Sequence, residues 1–318
     1  MKATKEKVSG RRRLFAPANI LVIRKTTSYM EMQSRNDQEA LRLVEEGHVS
    51  VKDVKLTHIE SERCAAAVEQ ALAAAGLNYR SIYRHEVGVD YNDADLVITI
   101  GGDGSFIDAA HHIGADVPVL GVKSASTSHG HFCLADEISF ASVLQNILHG
   151  QIRARKLVRL SLSVNGEELP LRVVNEVLIA ELDISGTNRY QVTTNGRSET
   201  QKGSAMVIAT PAGSTGLCRS LGGIIQPILS RRFQYLPMLP ILALGQRLAL
   251  PGGLVPADQE VRVVSGMAKM LLHVDGRHIK LPFPLGAELV AKVSEDDLLA
   301  FVNARCHDVY KKKRQKRC

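Results

Sequence analysis

The segment that constrains the fold most is residues 95–106, DLVITIGGDGSF. A run of β-forming apolar residues ends abruptly at Gly101-Gly102, and helix-forming residues follow. Such a strand has no polar face, so both of its sides must be covered. The pattern returns at residues 117–122 (VPVLGV) after one intervening helix. Strand, helix and strand at this spacing predict a doubly wound parallel sheet. Residues 19–24 (NILVIR), behind a proline, read as a first buried strand of that sheet. The clearest helix is expected over residues 61–75 (SERCAAAVEQALAAA), with Ser61 as its N-cap and Gly76 just past its end. Residues 140–148 read as another helix, closed by Gly150.

Beyond residue 150 the period changes. Residues 157–164 (LVRLSLSV) alternate and run into Asn165-Gly166, a two-residue hairpin signal that Asn195-Gly196 repeats. Alternating strands are expected at 172–180, 190–194, 205–210, 261–264, 270–274 and 289–293. An α/β half is thus followed by a largely β half, and 318 residues leave room for both.

The formal net charge of +7 would suit a nucleic-acid binder, but it is concentrated at the ends. Residues 1–13 hold six Lys/Arg and residues 311–317 six more, while the body between is mildly acidic. The ends read as solvated flexible tails. Aromatic residues are too few for base-stacking platforms, so nucleic acid is not an expected partner. No apolar run reaches the roughly 20 residues of a membrane helix, so no membrane association is expected. Five cysteines without CxxC spacing point to a reducing compartment, with the cytoplasm as the expected location. His129, His131 and Cys133 lack a second cluster that would complete four ligands, so no protein-held metal is expected.

Three features carry chemistry. Gly101, Gly102, Asp103, Gly104 and Ser105 fall where a buried strand meets a helix, which is where open α/β sheets bind ligands. Glycines let the backbone approach a ligand, and the helix N-terminus offers free N–H groups to phosphate oxygens. Asp103 would repel phosphate. It reads as a general base, a magnesium ligand or a ribose-hydroxyl acceptor, against the plainer alternative of a helix cap. The second feature, residues 210–216 (TPAGSTG) followed by Ser220 and Gly222-Gly223, is dense in hydroxyls and bare amides. It could equally be an ordinary Pro-Gly turn. The third is Asn175-Glu176 inside an apolar strand, VVNEVLIA. Adjacent side chains on a strand face opposite ways, so one of the pair points inward and needs a ligand or a buried network to satisfy it.

GGDGS at 101–105, the NE pair at 175–176, TPAGST at 210–215 with Gly222-Gly223, and Asp275-Gly276 fall in one order and spacing. In this the chain resembles the ATP-dependent NAD kinases over roughly residues 92–303. GGDG also occurs in diacylglycerol, sphingosine and phosphofructokinases; the NE pair and the TPxGST loop narrow the choice. VPVLGVKS (117–124) and GHFCLAD (130–136) place the likeness nearest the divergent branch that includes NADH kinases.

The resemblance implies a Rossmann-like domain at 14–149 carrying the GGDG loop and a β-sandwich-like, dinucleotide-binding domain at 150–288. A segment at 289–310 would return to the first domain, with basic ends at 1–13 and 311–318. It implies phosphoryl transfer from ATP to the 2′-hydroxyl of NAD or NADH, with Mg2+ accompanying ATP, in a homodimer or homotetramer. Asp103 would activate the hydroxyl. Gly101, Gly102 and Gly104 would face donor phosphates, Ser105 would be a nucleotide-binding residue of the same turn, and Asn175 and Glu176 would hold dinucleotide hydroxyls and amides. Thr215 and Ser220 would line the adenine side, and Thr210, Gly213, Ser214 and Gly216 would be nucleotide-binding residues of the same loop. Phe132 would pack near the dinucleotide, and Asp275 would sit at the rim of the site. Two positions depart from the pattern: Ser204 stands where typical members have Asp, and Leu217 where they have Tyr. The choice between NAD and NADH, and between ATP and polyphosphate, stays open. So do two rival readings, a lipid or sugar kinase sharing the GGDG loop and a non-catalytic dinucleotide sensor.

Overall fold

The computed structural model describes residues 16–84, 86, 89–181, 186–276 and 279–303. Both basic ends, Cys306 and Cys318 lie outside the described residues. The first half contributes strands β1 (Ile20–Arg24), β2 (Tyr79–Tyr83), β3 (Leu96–Gly101), β4 (Val119–Lys123) and β5 (Cys133–Asp136). Its helices are α1 (Ser28–Ser34), α2 (Gln38–Glu45), α3 (Val54–Ala74), α4 (Asp103–His112) and α5 (Phe140–Leu148). Strands β6 (Arg155–Leu157), β7 (Leu160–Val164), β8 (Glu167–Val173), β9 (Glu176–Ala180) and β10 (Asn188–Thr194) follow. Then come β11 (Arg197–Gly203), β12 (Ala205–Ala209), β13 (Phe233–Met238), β14 (Gly253–Val255) and β15 (Glu260–Ser265). The last four are β16 (Met270–Val274), β17 (Ile279–Phe283), β18 (Glu288–Val293) and β19 (Leu298–Phe301).

The first sheet runs β2-β1-β3-β4-β19-β6, with β5 also paired to β4. All its pairings are parallel except that of β6 with β19. Residue alternation explains why β1 and β3 read as unbroken apolar runs. Ile20, Val22, Leu96 and Ile98 pack against α3 and α5, whereas Leu21, Ile23 and Val97 face α4 with Phe106, Ile107 and Ala110. Each strand is buried on both faces, as a doubly wound sheet requires.

Two antiparallel sheets, β11-β10-β15-β18-β7-β8 and β14-β13-β12-β9-β16-β17, form the second half. Leu160, Val192, Val263 and Leu289 from one sheet meet Ile179, Met206, Phe233 and Leu272 from the other in one apolar core. Both Asn-Gly hairpins are present, with φ of 53° and 86° at Asn165-Gly166 and 51° and 69° at Asn195-Gly196, the signs a type I′ turn demands.

Three expectations are corrected. Helix α3 begins at Val54, two turns before Ser61, so Ser61 is not a cap; it is buried mid-helix, with Oγ 3.0 Å from Ser124 Oγ. The strand expected at 172–180 is broken between Val173 and Glu176. Strand β18 pairs with β15 and β7 inside the sandwich, so the return to the parallel sheet is made by β19 alone, further along than the boundary at 288/289. Among the described residues no helix is long and apolar enough to cross a membrane.

Candidate active site

Strand β3 ends at Gly101, and Gly102 is the N-cap of α4. A side chain at Gly102 would place its Cβ 2.6 Å from the His129 carbonyl, so only glycine lets the 128–130 loop lie this close. That loop in turn fixes Asp103. The Asp103 N–H donates to the His129 carbonyl at 3.0 Å, and Asp103 Oδ1 accepts the Phe132 N–H at 2.9 Å. No hydrogen bond from the described residues engages Oδ2, and Asp103 lines a cavity of about 480 Å3 together with Gly102, Gly104 and Ser105. Gly104 faces open space, while Ser105 is buried beneath Gly101. The Phe132 ring is buried and stacks on Phe106 at 5.0 Å, so it is the backbone of Phe132 that serves the site.

The second cluster forms at the break between β8 and β9. The Asp275 carboxylate, 1% exposed, accepts N–H groups from Val174 (2.7 Å), Asn175 (2.6 Å) and Glu176 (2.9 Å). Asp275 was expected at the rim; its oxygens are instead spent on backbone N–H groups, and it underpins the NE pair. With the backbone so held, Asn175 Oδ1 and Glu176 Oε2 are buried without a hydrogen-bond partner among the described residues. Burial, and secondarily the charge of Asp275, push the Glu176 carboxyl up to about 7.

The TPAGST loop closes on this pair. The Thr210 N–H donates to the Asn175 carbonyl at 2.8 Å, and Thr210 Oγ1 donates to the Val174 carbonyl at 2.5 Å. Gly213 lies against the Asn175 carbonyl so closely that any side chain there would collide with backbone. Ser214 Oγ donates to the Pro211 carbonyl at 2.6 Å and accepts the Gln226 N–H at 3.0 Å. Thr210 and Ser214 were expected to line a ligand; both are fully buried, and their hydroxyls build the loop. Thr215 is half-buried, and Gly216 and Ser220 are exposed. Leu217 packs with Cys218, Leu221 and Leu236 in a small apolar cluster, and the Ser204 carbonyl accepts from Asn188 Nδ2.

Helix α4 joins the two clusters. Asp103 stands at its first turn, and His111 in its last turn places Nε2 3.1 Å from Asp275 Oδ2. Val174 and Ala212 share a core with Phe106, Ile107 and Phe132 beside it. No pattern in the sequence pairs His111 with Asp275. Lys25, Lys52 and Arg84, which also line the cavity at Asp103, were likewise missed, because they are isolated cations outside any motif.

A parallel sheet whose glycine turn carries a carboxylate, facing a β-sandwich with unsatisfied buried oxygens, defines a nucleotide-handling kinase rather than a lone binding turn. The comparisons agree. Residues 21–152 match the family described as ATP-NAD kinase N-terminal domain. The chain is 30% identical over 270 residues to the NADH kinase of Arabidopsis thaliana, covering 76% of this chain and 85% of that one. It is 29% identical over 259 residues to a probable NADH kinase of Oryza sativa subsp. japonica, covering 72% and 79%. In fold it is similar to a yeast NADH kinase complexed with NADH, with TM-score 0.70, 15% identity and coverage of 96% and 91%. An Archaeoglobus fulgidus NAD kinase in complex with ATP gives TM-score 0.68, 17% identity and coverage of 93% and 98%. The chain belongs to the NAD kinase family and is an NAD(H) kinase.

Proposed function

We propose that the chain transfers the terminal phosphoryl group of ATP to the 2′-hydroxyl of the adenosine ribose of NAD or NADH, giving NADP or NADPH. The observation that carries this reading is Asp103. One carboxylate oxygen is pinned by the Phe132 N–H, the other has no hydrogen bond from the described residues, and the residue lines the cavity, so the group is oriented before any hydroxyl arrives. Asp103 Oδ2 takes the hydroxyl proton as the ribose oxygen attacks the γ-phosphorus, the bond from that phosphorus to the β,γ-bridging oxygen breaks, and ADP leaves. Asn175 Oδ1 and Glu176 Oε2 are acceptors without donors among the described residues, and dinucleotide hydroxyl and amide groups supply them. Thr215, Gly216 and Ser220 form the accessible part of the adenine side. The yeast relative bound to NADH and the archaeal one bound to ATP support both substrates by their likeness of fold.

Among the described residues, no three His, Cys, Asp or Glu side chains gather as a metal cage. The carboxylates facing the cavity are Asp53 and Asp103. Magnesium is commonly held by one or two carboxylates plus substrate phosphates, so it enters with the triphosphate as part of the substrate. We further propose two lobes, one through residue 149 completed by β6 and β19, and one from Leu160 to Val293. The assembly proposed is a cytoplasmic homodimer or homotetramer.

Replacing Asp103 with Asn removes the base and keeps its shape. Turnover should fall by about 10² to 10⁴-fold, on the order of 3 to 5 kcal/mol of barrier. The assay is NADP(H) formation from ATP, magnesium and NAD or NADH. A folded Asp103→Asn protein turning over at the wild-type rate would refute the role.

A further inference from the structure

Residues 124–132 join β4 to β5 and supply both groups that fix Asp103, the His129 carbonyl and the Phe132 N–H. The loop starts on the glycine turn, where the Ser124 N–H donates to the Gly101 carbonyl at 2.8 Å, and it comes back to that turn at His129. Between those points it swings outward. Ser126 and Thr127 are exposed, so burial does not hold them.

Helix α3 holds them instead. Thr57, Glu60, Ser61 and Cys64 stand at i, i+3, i+4 and i+7, one stripe of the helix. Each bonds the chain leaving β4, in reverse order. Thr57 Oγ1 is 2.8 Å from Thr127 Oγ1, and the Glu60 carboxylate accepts the Ser126 N–H and the Ser126 hydroxyl, both at 2.8 Å. Ser61 Oγ is 3.0 Å from Ser124 Oγ, and the Cys64 thiol donates to the Lys123 carbonyl at 3.8 Å. The helix is itself anchored, because Cys64, Ala65, Val68 and Leu72 pack in one core with Ile20, Leu96 and Ile98 of the parallel sheet. Of the four contacts, the one from Glu60 is the strongest. It is charge-assisted and takes two donors from one residue, whereas the threonine pair is neutral and exposed and a thiol is a weak donor. The Ser126 N–H first and the Ser126 hydroxyl second hold the Glu60 carboxyl below its usual range, so the contact persists at neutral pH. Glu60 does not line the cavity at Asp103, so its influence on the reaction passes through the loop.

We propose that Glu60 is a positioning residue for phosphoryl transfer: through Ser126 it fixes the 124–132 loop on α3, and the loop in turn aims the Asp103 carboxylate. The inference rests on the reading of Asp103 as the base and deepens it. Removing Glu60 leaves Asp103 its charge and its partners. What is lost is the fixed position of those partners, and a misplacement of about 1 Å is enough to cost about 10²-fold in rate.

The test is a double-mutant cycle: Glu60→Ala, Asp103→Asn and the combined variant are assayed for NADP(H) formation from ATP, magnesium and NAD or NADH. Glu60→Ala should lower kcat by about 10- to 100-fold and leave the dinucleotide KM within about twofold, since the NE pair is held by Asp275 and not by this loop. In the Asp103→Asn background the same change should cost less than about threefold, because no base is left to misplace. Glu60→Gln still offers an acceptor to the Ser126 N–H and should recover most of the rate, and Ser126→Ala, which loses only the hydroxyl, should fall between Glu60→Ala and wild type. If Glu60→Ala does not fold, Ser126→Ala completes the same cycle with a smaller expected loss. Folded Glu60→Ala with wild-type kcat would overturn the proposal. An equal loss in both backgrounds would also overturn it, since that marks a general structural effect, and so would Glu60→Gln as slow as Glu60→Ala, since that marks an effect of charge rather than of attachment. If Asp103→Asn turns over at the wild-type rate, the base reading fails and this inference with it; if Asp103→Asn is slow and Glu60→Ala is not, only this inference fails.

Discussion

Glu176 should make the ligand-free protein less stable as pH rises, and Glu176→Gln should remove that dependence. Its carboxyl is raised from 4.5 to about 7, by burial first and by the Asp275 charge second. Between those values the native state keeps a proton that the unfolded chain has lost, so stability falls through that window and stays low above it. At 1.36 kcal/mol per decade the penalty is about 3 kcal/mol once Glu176 is ionised. Gln keeps the shape and carries no charge. The variant should therefore match wild type at about pH 4.5 and exceed it by up to about 3 kcal/mol at about pH 8. Chemical denaturation of both proteins without ligand, at several pH values, reads this difference directly. Two denaturation series that stay parallel across the range, or a Gln variant that is the less stable one at high pH, would refute the reasoning. Catalysis should respond in the opposite sense: the dinucleotide KM of Glu176→Gln should rise, because the lost carboxylate accepted ligand donors. A group that costs stability in the empty protein and is repaid on binding is what an active-site carboxylate in a dry cleft should show.

Two further outcomes follow from buried groups outside the reaction itself. Asp275→Asn leaves one oxygen to serve three backbone N–H groups, so it should cost about 1 to 3 kcal/mol and raise the dinucleotide KM more than it lowers turnover; a KM unchanged in folded protein would show that the pair is held by other means. Arg159 is buried and donates to the carbonyls of Ala110, Ile113 and Asp296, so Arg159→Met should lower stability by about 2 to 4 kcal/mol, read as a shift in urea midpoint, with an unshifted midpoint counting against it.

What the sequence disclosed was local. DLVITI reads as a buried strand because each face packs under a helix, and both Asn-Gly hairpins follow from a φ preference confined to two residues. The sequence reads helix α3 two turns short because its first turns, VKLTHIE, mix β-branched and polar residues unlike the Ala-rich run after them, and its N-cap, Asp53, makes no side-chain cap bond. The break at Val174-Asn175 was invisible for a different reason. Val174 is as apolar and β-forming as its neighbours and one Asn does not by itself end a strand; what bends the pair out of the strand is a carboxylate 101 residues away from Val174. The orphaned oxygens of Asn175 and Glu176 were foreseeable as a type, since an Asn-Glu pair in an apolar run must leave something unsatisfied. The groups that hold the pair in place were not.

Helix α4 explains why the two halves of the site form one unit. Ten residues span about 15 Å, with Asp103 and the exposed Gly104 at the N-terminal end and His111 against Asp275 at the other. The helix dipole favours phosphate at its first turn and cations at its last. Arg159 answers the second demand, binding the Ala110 and Ile113 carbonyls from the segment that enters β7. The sandwich is therefore fastened to the C-terminal end of the same helix whose N-terminal end carries Asp103. Asp103 and the support of the NE pair are thus joined by one rigid helix and not only by the loops that carry the motifs, so three short segments are held in an arrangement that none of them could maintain alone.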